Sequence, residues 1–420
     1  MKVLRKLSSL ALGVTAALAL SATTAAWAEE LVMWERSGAN AGMVERLIEM
    51  WNEAEPDRKV NLTYIPHTEM VAKLAQAIAS GDVPDLMGMD LIYAPQFAKA
   101  GQLEDLTDYV KDWPELKTAS AGHMTVATWD DRIYGVPLYA DVSALFYNKD
   151  LFEKAGLDPD KPPSSLAELR EYADKITALG GDVKGYFLPG SCAGCNIFTV
   201  GPLLWASGVK IEAIGPGDEP LVGDNLKPVL EWLREMAKSG NVHEDARAEN
   251  GETFGKRFGI GNLGMMGTGN FNITLARDAN PDMNFGIGLL PGLEEGTYAS
   301  FIGGDLVVVP KGSARVSDAV DFMKFILSDE VQVEGYAKLL NLTTRSDMTD
   351  NKYFKGEPLV QDVAKALNVG QTPYTLTFFE QINSPQGPWL QMLQRVYYTD
   401  DDIDQIIQDA KDQMKSIASQ

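Results

Sequence analysis

The order of predicted strands and helices is the feature of this sequence that most constrains its fold. Short apolar runs at residues 31–34, 60–65 and 84–89 predict buried strands. Segments with helical apolar spacing at residues 42–55 and 69–79 separate these strands. Alternation of this kind predicts parallel sheets covered by helices, and therefore an α/β fold.

The length and charge of the chain limit its class. A chain of 420 residues is too long for one ordinary hydrophobic core and fits two lobes. Its formal net charge of −22 supplies no basic face for nucleic acid and is repelled by anionic membrane surfaces. We therefore expect a soluble two-lobed protein that binds no nucleic acid and does not insert into a membrane.

The start of the chain has the pattern of an export signal. A basic segment at residues 2–6 precedes an apolar stretch at 10–20, and the small residues at 26–28 suit a signal peptidase. A membrane anchor is disfavoured because a spanning helix needs about 20 apolar residues. We expect a signal peptide over residues 1–28 and a mature start at Glu29. No cysteine lies near that site, so we expect an unlipidated protein in a Gram-negative periplasm.

One segment, residues 131–157, carries a more specific signal. Residues 134–137 predict a strand edge with a turn, residues 142–147 a buried strand, and residues 150–155 a helix that Gly156 ends. The segment resembles the signature of the family 1 extracellular solute-binding proteins, the maltose-binding-like sugar-binding subunits of ABC importers. In that family it carries the chain from one lobe into the other.

Further segments resemble the same family and follow in the family's order. They are residues 80–86, 101–107, 264–267, 286–292, 303–310, 319–327 and 342–345. The resemblance implies a two-lobe periplasmic-binding-protein fold, the Venus flytrap, with discontinuous domains and a three-crossing hinge. It places the N-terminal lobe at residues 29–140 and 304–343, and the C-terminal lobe at residues 141–303 and 344–420.

The resemblance also implies a function. It implies a monomeric binding protein, not an enzyme, that needs no cofactor or metal. Such a protein binds a sugar or sugar derivative between its lobes and delivers it to inner-membrane ABC permease subunits. A histidine, several arginines and a phenylalanine in place of the family's stacking tryptophan favour a small or anionic sugar derivative.

A sugar site needs specific side chains because a sugar ring has an apolar face and polar edges. Aromatic rings cover the face, while carboxylates and amides bond the hydroxyls. In open α/β sheets such groups gather past the carboxyl ends of the strands. The ligand contacts expected from position and resemblance are Trp34, Glu35, Arg36, His67, Asp90, Asp141, Asn196, Phe271, Asp305, Arg345 and Trp389.

The candidates after the first three strands each have an alternative role. Trp34 could belong to the core, and Glu35 and Arg36 could form an exposed ion pair. His67 could be a loop residue with its own partner, and Asp90 could cap the next helix. These alternatives stay open at the level of the sequence.

The later candidates also have alternatives. Asp141 could pair with Arg132 instead of a ligand. Asp305 would be costly to bury in a strand unless a partner or ligand meets it. Near the C-terminus, Trp389, Gln391 and Arg395 all match the family's last ligand position approximately.

The two cysteines of the chain, Cys192 and Cys195, form a Cys-x-x-Cys motif. A redox motif of the thioredoxin type is expected at a helix start in a compact βαβ unit, whereas this pair is flanked by glycines in a large chain. A second ligand pair for zinc is missing. We expect a structural disulfide that rigidifies a tight loop.

Two other functions have weaker support. Ferric-ion-binding proteins of similar architecture use neighbouring tyrosines, and Tyr397 and Tyr398 are adjacent. Neighbours on a helix point about 100° apart, so a core helix is the simpler interpretation. For a secreted glycoside hydrolase, no feature singles out two carboxylates with opposed environments. A Gly-x-Gly-x-x-Gly at residues 259–264 precedes a strand instead of following one, which argues against a dinucleotide site.

Overall fold

The structure is a computed structural model that describes residues 30–36, 41–66, 69–212 and 217–419. The predicted signal peptide, Glu29 and His67 lie outside these residues. Among the described helices, none combines the length and apolar composition needed to cross a membrane.

The described strands range from two to fourteen residues in length. They are β1 (Leu31–Arg36), β2 (Val60–Ile65), β3 (Leu86–Asp90), β4 (Thr128–Trp129), β5 (Arg132–Ile133), β6 (Gly135–Asn148), β7 (Lys184–Tyr186), β8 (Lys210–Ile211), β9 (Leu221–Val222), β10 (Leu263–Gly269), β11 (Phe285–Gly288), β12 (Leu290–Pro291), β13 (Tyr298–Val308) and β14 (Gly370–Gln371).

The described helices are α1 (Ala41–Ala54), α2 (Met70–Ser80), α3 (Ala94–Lys99), α4 (Thr107–Val110), α5 (Ala121–Ala127), α6 (Lys149–Lys154), α7 (Leu166–Thr177), α8 (Ala193–Thr199), α9 (Gly201–Ala206), α10 (Leu226–Lys238), α11 (Asn272–Ala279), α12 (Val316–Ile326), α13 (Asp329–Val331), α14 (Pro358–Ala364), α15 (Pro388–Tyr398) and α16 (Ile403–Ala418). Local signals set several starts. Ser165 caps α7 and Asp402 caps α16 by accepting a backbone N–H three residues later.

The first part of the chain forms the predicted parallel unit. Strand β1 pairs in parallel with β2 on one side and with β3 on the other, with α1 and α2 as the connecting helices. The sheet then continues through β13 and β6, which are antiparallel to their neighbours, to β10 and β7. The α/β prediction is confirmed.

Strand β6 differs from the sequence prediction. The turn expected at residues 134–137 is absent, and one continuous strand runs from Gly135 to Asn148. Its first half pairs with β13, and its second half pairs with β10 and β11. Pro137 lies in the half that pairs with β13, and the strand stays extended past it because proline removes only one donor from the ladder. The strand therefore joins the two halves of the sheet.

The pairing of β6 with β13 contains an irregularity at the junction. The register shifts between Asp305 and Leu306, so that Leu138 is an extra residue on β6. Tyr336 donates its hydroxyl to the Leu138 carbonyl at 2.6 Å. The side chain of His123 bonds the next carbonyl, that of Tyr139, at 2.9 Å. Side chains thus satisfy the carbonyls that the bulge takes out of the ladder.

Three hydrophobic clusters support the sheet, and the largest spans both halves because it contains Met87 of β3 and Met265 of β10. One cluster packs α1 and α12 under β1, with Trp51 in edge-to-face contact with Phe322. Another surrounds Phe146 of β6, whose ring contacts those of Phe258 and Phe285. The long strands β6 and β13 hold these clusters together, so side chains near the middle of both strands face the space between them.

Candidate functional site

A cavity of about 470 Å³ opens beside the middle of β6 and β13. Its size falls in the range of small-molecule sites. It is lined by Arg36, Asp90, Ile92, Tyr139, Asp141, Gly194, Cys195, Ile197, Phe198, Phe254, Phe271, Leu275, Phe301, Gly303, Gly304, Phe378 and Asn383. Both halves of the sheet contribute to it.

The floor of the cavity follows from strand register. Asp141 lies opposite Gly303, and Tyr139 lies opposite Asp305. Because alternate residues of a strand share a face, Tyr139 and Asp141 point to the same side as Gly303 and Asp305. Gly304 has a φ of +114°, and a Cβ there would lie 2.0 Å from the Tyr139 carbonyl oxygen. Only glycine lets the two backbones approach this closely.

One wall of the cavity is aromatic. Phe198, Phe254, Phe271, Phe301 and Phe378 all line it. The Phe198 ring lies 4.6 Å from the Phe301 ring and 6.3 Å from the Phe271 ring, centroid to centroid, with edge-to-face tilts. Such contacts keep the rings in fixed orientations. This wall can cover the apolar face of a ring-shaped ligand.

The position of Phe271 is fixed by the residues around it. Asn270 exchanges two hydrogen bonds with the backbone of Val142, at 2.9 and 3.0 Å. These bonds tie the start of α11 to the strand position next to Asp141. A Cβ at position 269 would lie 2.1 Å from the Phe271 ring, so Gly269 makes room for it. The phenylalanine is thereby held beside a carboxylate of the floor.

The opposite wall is polar and centres on Arg36, at the end of β1. Its Nε donates to Asp305 Oδ2 at 2.9 Å and to the Tyr139 hydroxyl at 3.1 Å. Its Nη2 lies 2.5 Å from Asp305 Oδ1, and its Nη1 lies 3.1 Å from Asp90 Oδ2. Asp305 is fully buried, whereas Arg36 and Asp90 keep part of their side chains exposed to the cavity. The bidentate geometry with Asp305 orients the guanidinium.

Electrostatics follow from this burial. Asp305 and Asp90 outweigh the desolvation of Arg36 and raise its pKa well above the usual value. Glu35 is also buried, and burial together with the neighbouring Asp305 charge raises its pKa well above the usual range. Burial and the neighbouring carboxylate thus both oppose the charged form of Glu35.

A disulfide forms another part of the wall. Cys192 and Cys195 are bonded, with their Cα atoms 5.2 Å apart, as expected from the sequence. Cys192 Sγ accepts the Cys195 N–H at 3.0 Å and so caps the start of α8. Gly194 and Cys195 face the cavity. The disulfide thus fixes a short piece of backbone in the cavity wall.

Of the predicted ligand contacts, four line the cavity: Arg36, Asp90, Asp141 and Phe271. Asp305 lies one layer behind and holds Arg36. The alternative partner suggested for Asp141 is wrong, because Arg132 pairs with Asp105 instead. The helix-capping alternative for Asp90 holds alongside its ion pair, since its carboxylate accepts the Ile92 N–H at 3.4 Å.

The other candidates from the N-terminal region and the disulfide loop lie elsewhere. Trp34 packs partly buried against a hydrophobic cluster, and Glu35 is buried below Gly88. The exposed Glu35–Arg36 pair is therefore a wrong expectation. Asn196 is fully buried and turned inward, because its amide donates to the Pro189 and Cys192 carbonyls.

The C-terminal candidates do not line the cavity. Arg345 is bound by Asp329 and Asp347, each at 2.6 Å, and also donates to the Thr118 hydroxyl. Trp389 is fully buried, because it lies on the apolar face of α15 that packs into the hydrophobic core. Gln391 and Arg395, also on α15, have protein partners. Gln391 donates to the Gln386 carbonyl, and Arg395 pairs with Asp401 and with Asp409 of α16.

The adjacent tyrosines are core residues. Tyr397 is buried and donates to Asn196 at 3.1 Å, while the Tyr398 ring lies 4.4 Å from the Arg247 guanidinium. Over the described ranges, no cluster of three or more histidine, cysteine or acidic side chains could hold a metal ion.

Sequence reasoning missed several lining residues. Tyr139 and Phe301 could have been found, because each alternates with a predicted contact on the same strand face. Phe198 follows the disulfide loop on α8, and its helical position gives no comparable signal. Phe378 and Asn383 lie at the start and the end of a short π-helix after β14 (Phe379–Asn383), and sequence periodicity does not predict a π-helix.

Comparison with known proteins identifies relatives. An arabinooligosaccharide-binding protein of Bacillus subtilis is 25% identical over 334 residues, which cover 74% of this chain and 71% of the relative. An sn-glycerol-3-phosphate-binding periplasmic protein of Agrobacterium fabrum is 24% identical over 397 residues, which cover 86% and 87%.

The fold also matches solved structures. The crystal structure of a cyclic α-maltosyl-1,6-maltose-binding protein from Arthrobacter globiformis has a TM-score of 0.79 at 21% identity, covering 93% of this chain and 99% of that one. This match confirms the predicted two-lobe fold. A family model described as bacterial extracellular solute-binding protein matches residues 46–364. The chain therefore belongs to the bacterial extracellular solute-binding protein family, whose members are binding proteins and not enzymes.

Proposed function

We propose that this protein binds a sugar in the cavity between its lobes and delivers it to the permease of an ABC importer. One observation carries the proposal: phenylalanine rings line one side of the cavity, and carboxylates line the opposite side. A sugar ring presents an apolar face and a hydroxyl edge, and this arrangement can meet both at once.

The proposed contacts are four of those expected from the sequence, together with Tyr139. Asp90 and Asp141 accept hydroxyl hydrogen bonds, Phe271 covers the ring face, and Arg36 and Tyr139 complete the polar wall. Asp305 supports Arg36 from behind. The cavity volume suits a sugar of one or two rings, and the relatives include an arabinooligosaccharide-binding protein and an sn-glycerol-3-phosphate-binding protein.

We assign residues 29–140 and 304–343 to the N-terminal lobe, and residues 141–303 and 344–420 to the C-terminal lobe. The assignment is supported by β6 and β13, which exchange pairing partners near Ala140 and Gly304. A third crossing is supported by the bridge between Ala119 and Arg345. Ligand contacts from both lobes would stabilise a closed arrangement over an open one, which is how such a protein signals its loaded state.

The proposal includes location and partners. The basic and apolar start of the chain and the family support export to the periplasm, with cleavage before Glu29 and no lipid anchor. The acidic net charge supports a monomer, because like-charged copies repel. Intact-mass measurement of a periplasmic extract tests the cleavage site, and a retained, lipidated N-terminus would contradict it.

The experiment that tests sugar binding is a thermal-shift screen against a carbohydrate panel, followed by calorimetric titration of each hit. A ligand that binds only the folded protein stabilises it by RT ln(1 + [L]/Kd), so a true ligand gives a shift that grows with its concentration. Small-angle scattering should show compaction with the same ligand. A panel without any concentration-dependent shift, or ligand turnover into product, would contradict the proposal.

A further inference from the structure

The side chain of Glu35 reaches across a neighbouring strand through a gap that a glycine leaves. The pairing of β1 with β3 places Trp34 opposite Met87, so Glu35 is the neighbour of Gly88. A Cβ at position 88 would lie 1.5 Å from Glu35 Oε2. Because glycine has no side chain, the carboxyl group of Glu35 occupies that space and extends over β3 toward β13.

The carboxyl group of Asp305 lies on the same face of the sheet. Strand β13 pairs with β3 so that Val307 lies opposite Gly88. Alternate residues of a strand share a face, so Asp305 points to the side from which Glu35 arrives. The two carboxyl groups come within hydrogen-bonding reach of each other.

Two oxygens of these carboxyl groups are left without a hydrogen bond. Glu35 Oε2 and Asp305 Oδ1 are both buried, and no described group donates a hydrogen bond to either of them. Arg36 Nη2 lies 2.5 Å from Asp305 Oδ1 as an ion pair, without the direction of a hydrogen bond. Two carboxylates cannot bond each other, because neither carries a donor. One proton between them would satisfy both oxygens at once.

The charges around Glu35 favour the same arrangement. Asp90 and Asp305 already flank Arg36, so an ionised Glu35 would add a third negative charge to this buried group. Burial and the Asp305 charge raise the pKa of Glu35, and the Arg36 charge opposes them. The described charged and titratable groups that face the two carboxyl groups come from four strands and one helix. They are Arg36, Tyr64, Asp90, Tyr139 and His123.

We propose that Glu35 and Asp305 share one proton, and that Glu35 is a positioning residue that holds Asp305, and through it Arg36, in the polar wall of the cavity. With the proton in place, Glu35 donates to Asp305, which keeps its single negative charge for Arg36. When the proton leaves to solvent at alkaline pH, the two carboxylates repel each other and the guanidinium loses its fixed orientation. The inference concerns the cavity itself, goes beyond sugar binding and does not depend on which ligand the cavity takes.

Infrared spectroscopy of the protein without added ligand tests the shared proton. A protonated carboxyl group has a C=O stretching band that carboxylates lack. Ordinary aspartates and glutamates are ionised at pH 7, so we expect the parent protein to show this band because of the pair alone. Glu35→Gln should lose the band. Glutamine fills the same space and keeps an N–H donor for Asp305, so the variant should fold.

Glu249→Gln is the matched control for the band. Glu249 is also buried, but its oxygens accept hydrogen bonds from Gly251 and Thr253. The control should therefore keep the band of the parent. A parent protein without the band at pH 7, or a band that survives Glu35→Gln, overturns the shared proton.

The positioning role is tested at Arg36, whose Nε donates to Asp305 and to the Tyr139 hydroxyl. In protein with isotope-labelled arginine, the Nε–H signal in the nuclear magnetic resonance spectrum is assigned through Arg36→Lys. We expect this signal to shift with pH at the same midpoint at which the infrared band disappears, and not to shift over that range in Glu35→Gln. The signal of Arg46, from a surface pair, is the internal control. An Arg36 signal that does not follow the band overturns the positioning role.

Unfolding measurements give a readout that needs no assignment of signals. The unfolded chain releases the Glu35 proton near the ordinary pKa of 4.5, whereas the folded protein retains it to higher pH. As the pH rises between these two values, the unfolding constant of the parent should increase by up to tenfold per pH unit relative to Glu35→Gln. Glu249→Gln should follow the parent. Equal slopes for the parent and Glu35→Gln overturn the proposal.

The parent protein alone decides the matter if Glu35→Gln does not fold. Its infrared band at pH 7 and its Arg36 signal must then change at one common midpoint. Different midpoints, or no band, overturn the proposal in that case.

Discussion

The carboxylate of Asp305 is completely buried and binds the guanidinium of Arg36 through both oxygens. Oδ2 lies 2.9 Å from Nε, and Oδ1 lies 2.5 Å from Nη2. Arg36 comes from the end of β1 and Asp305 from the middle of β13, near the exchange of pairing partners. The pair therefore links β1, in the parallel unit, to β13, which pairs with β3 and with β6. It also fixes the polar wall of the cavity.

Removing Arg36 should destabilise the fold. Arg36→Ala leaves Asp305 buried without its partner, and breaking a buried ion pair in this way typically costs about 3–5 kcal/mol. Urea denaturation should show this loss. Arg46→Ala is the matched control, because Arg46 pairs with an exposed glutamate and such pairs contribute about 0–1 kcal/mol. Similar losses for both variants would contradict the supporting role of the Arg36–Asp305 pair.

Removing the ring of Phe271 should weaken ligand binding. Phe271→Ala loses face contact with the bound sugar and should cost on the order of 1 kcal/mol, about a fivefold change in Kd. Titration with the sugar identified by the screen measures it. Phe379→Ala truncates a ring that is 45% exposed and does not line the cavity, so it should bind like the parent protein. Unchanged binding by Phe271→Ala would contradict the aromatic wall as the ligand's partner.

Removing the disulfide should affect stability and binding without affecting any chemistry. The loop between Cys192 and Cys195 is short, so replacing both residues by serine should cost about 2 kcal/mol, the low end of the usual range. Because Gly194 and Cys195 line the cavity, we expect a lower ligand affinity as well. Parent protein treated with a reductant should reproduce the change. A thiol-dependent activity that disappears in the double variant would show that the disulfide is not structural.

The sequence predicted the fold well because its signals are local and periodic. Strands β1 to β3 and helices α1 and α2 match the predicted segments within one or two residues. Arg36 and Asp90 were predicted as site residues because each follows a predicted strand, and Asp141 because its position resembles that of a ligand carboxylate in maltose-binding relatives. Strand β6 was interrupted in the prediction because Pro137 is a local breaker, whereas the observed strand depends on partners that are distant in the sequence.

The misplaced site residues have a common physical cause. Trp389 and Arg345 have residue types suited to a ligand, but their neighbours in space decide their use. Trp389 is buried on the apolar face of α15, and two aspartates bind Arg345. Phe378 and Asn383 line the cavity from a short π-helix, which no sequence pattern predicted.

A buried histidine should make the protein sensitive to acid. His123 lies on α5, fully buried, with Nε2 2.9 Å from the Tyr139 carbonyl and Nδ1 2.9 Å from the Ser120 hydroxyl. Since a carbonyl only accepts, Nε2 carries the proton and Nδ1 accepts from Ser120. Burial lowers the pKa of His123 from 6.5 to about 4. The neutral ring thus supports Tyr139, whose hydroxyl meets Arg36 in the cavity.

The sign of the pH effect follows from that shift. Between pH 6.5 and about 4 the unfolded chain binds a proton at His123 that the folded protein does not. Stability therefore falls as the pH falls through this range, by up to about 3 kcal/mol from this residue. The raised pKa of Glu35 gives the opposite slope, because the folded protein holds that proton longer as the pH rises. Comparing the parent with a His123 variant cancels the Glu35 contribution.

We expect His123→Gln to be less stable than the parent at pH 7, because the buried hydrogen bonds are altered, but to lose less stability between pH 6.5 and 4.5. Urea denaturation across that range measures both effects. His243→Gln is the control: the pKa of His243 is also lowered by burial, but His243 lies near Arg257 and Asp182, away from the cavity lining. The two variants together separate the contributions of the two histidines. If His123→Gln loses as much stability as the parent on acidification, His123 is not the acid-sensitive group.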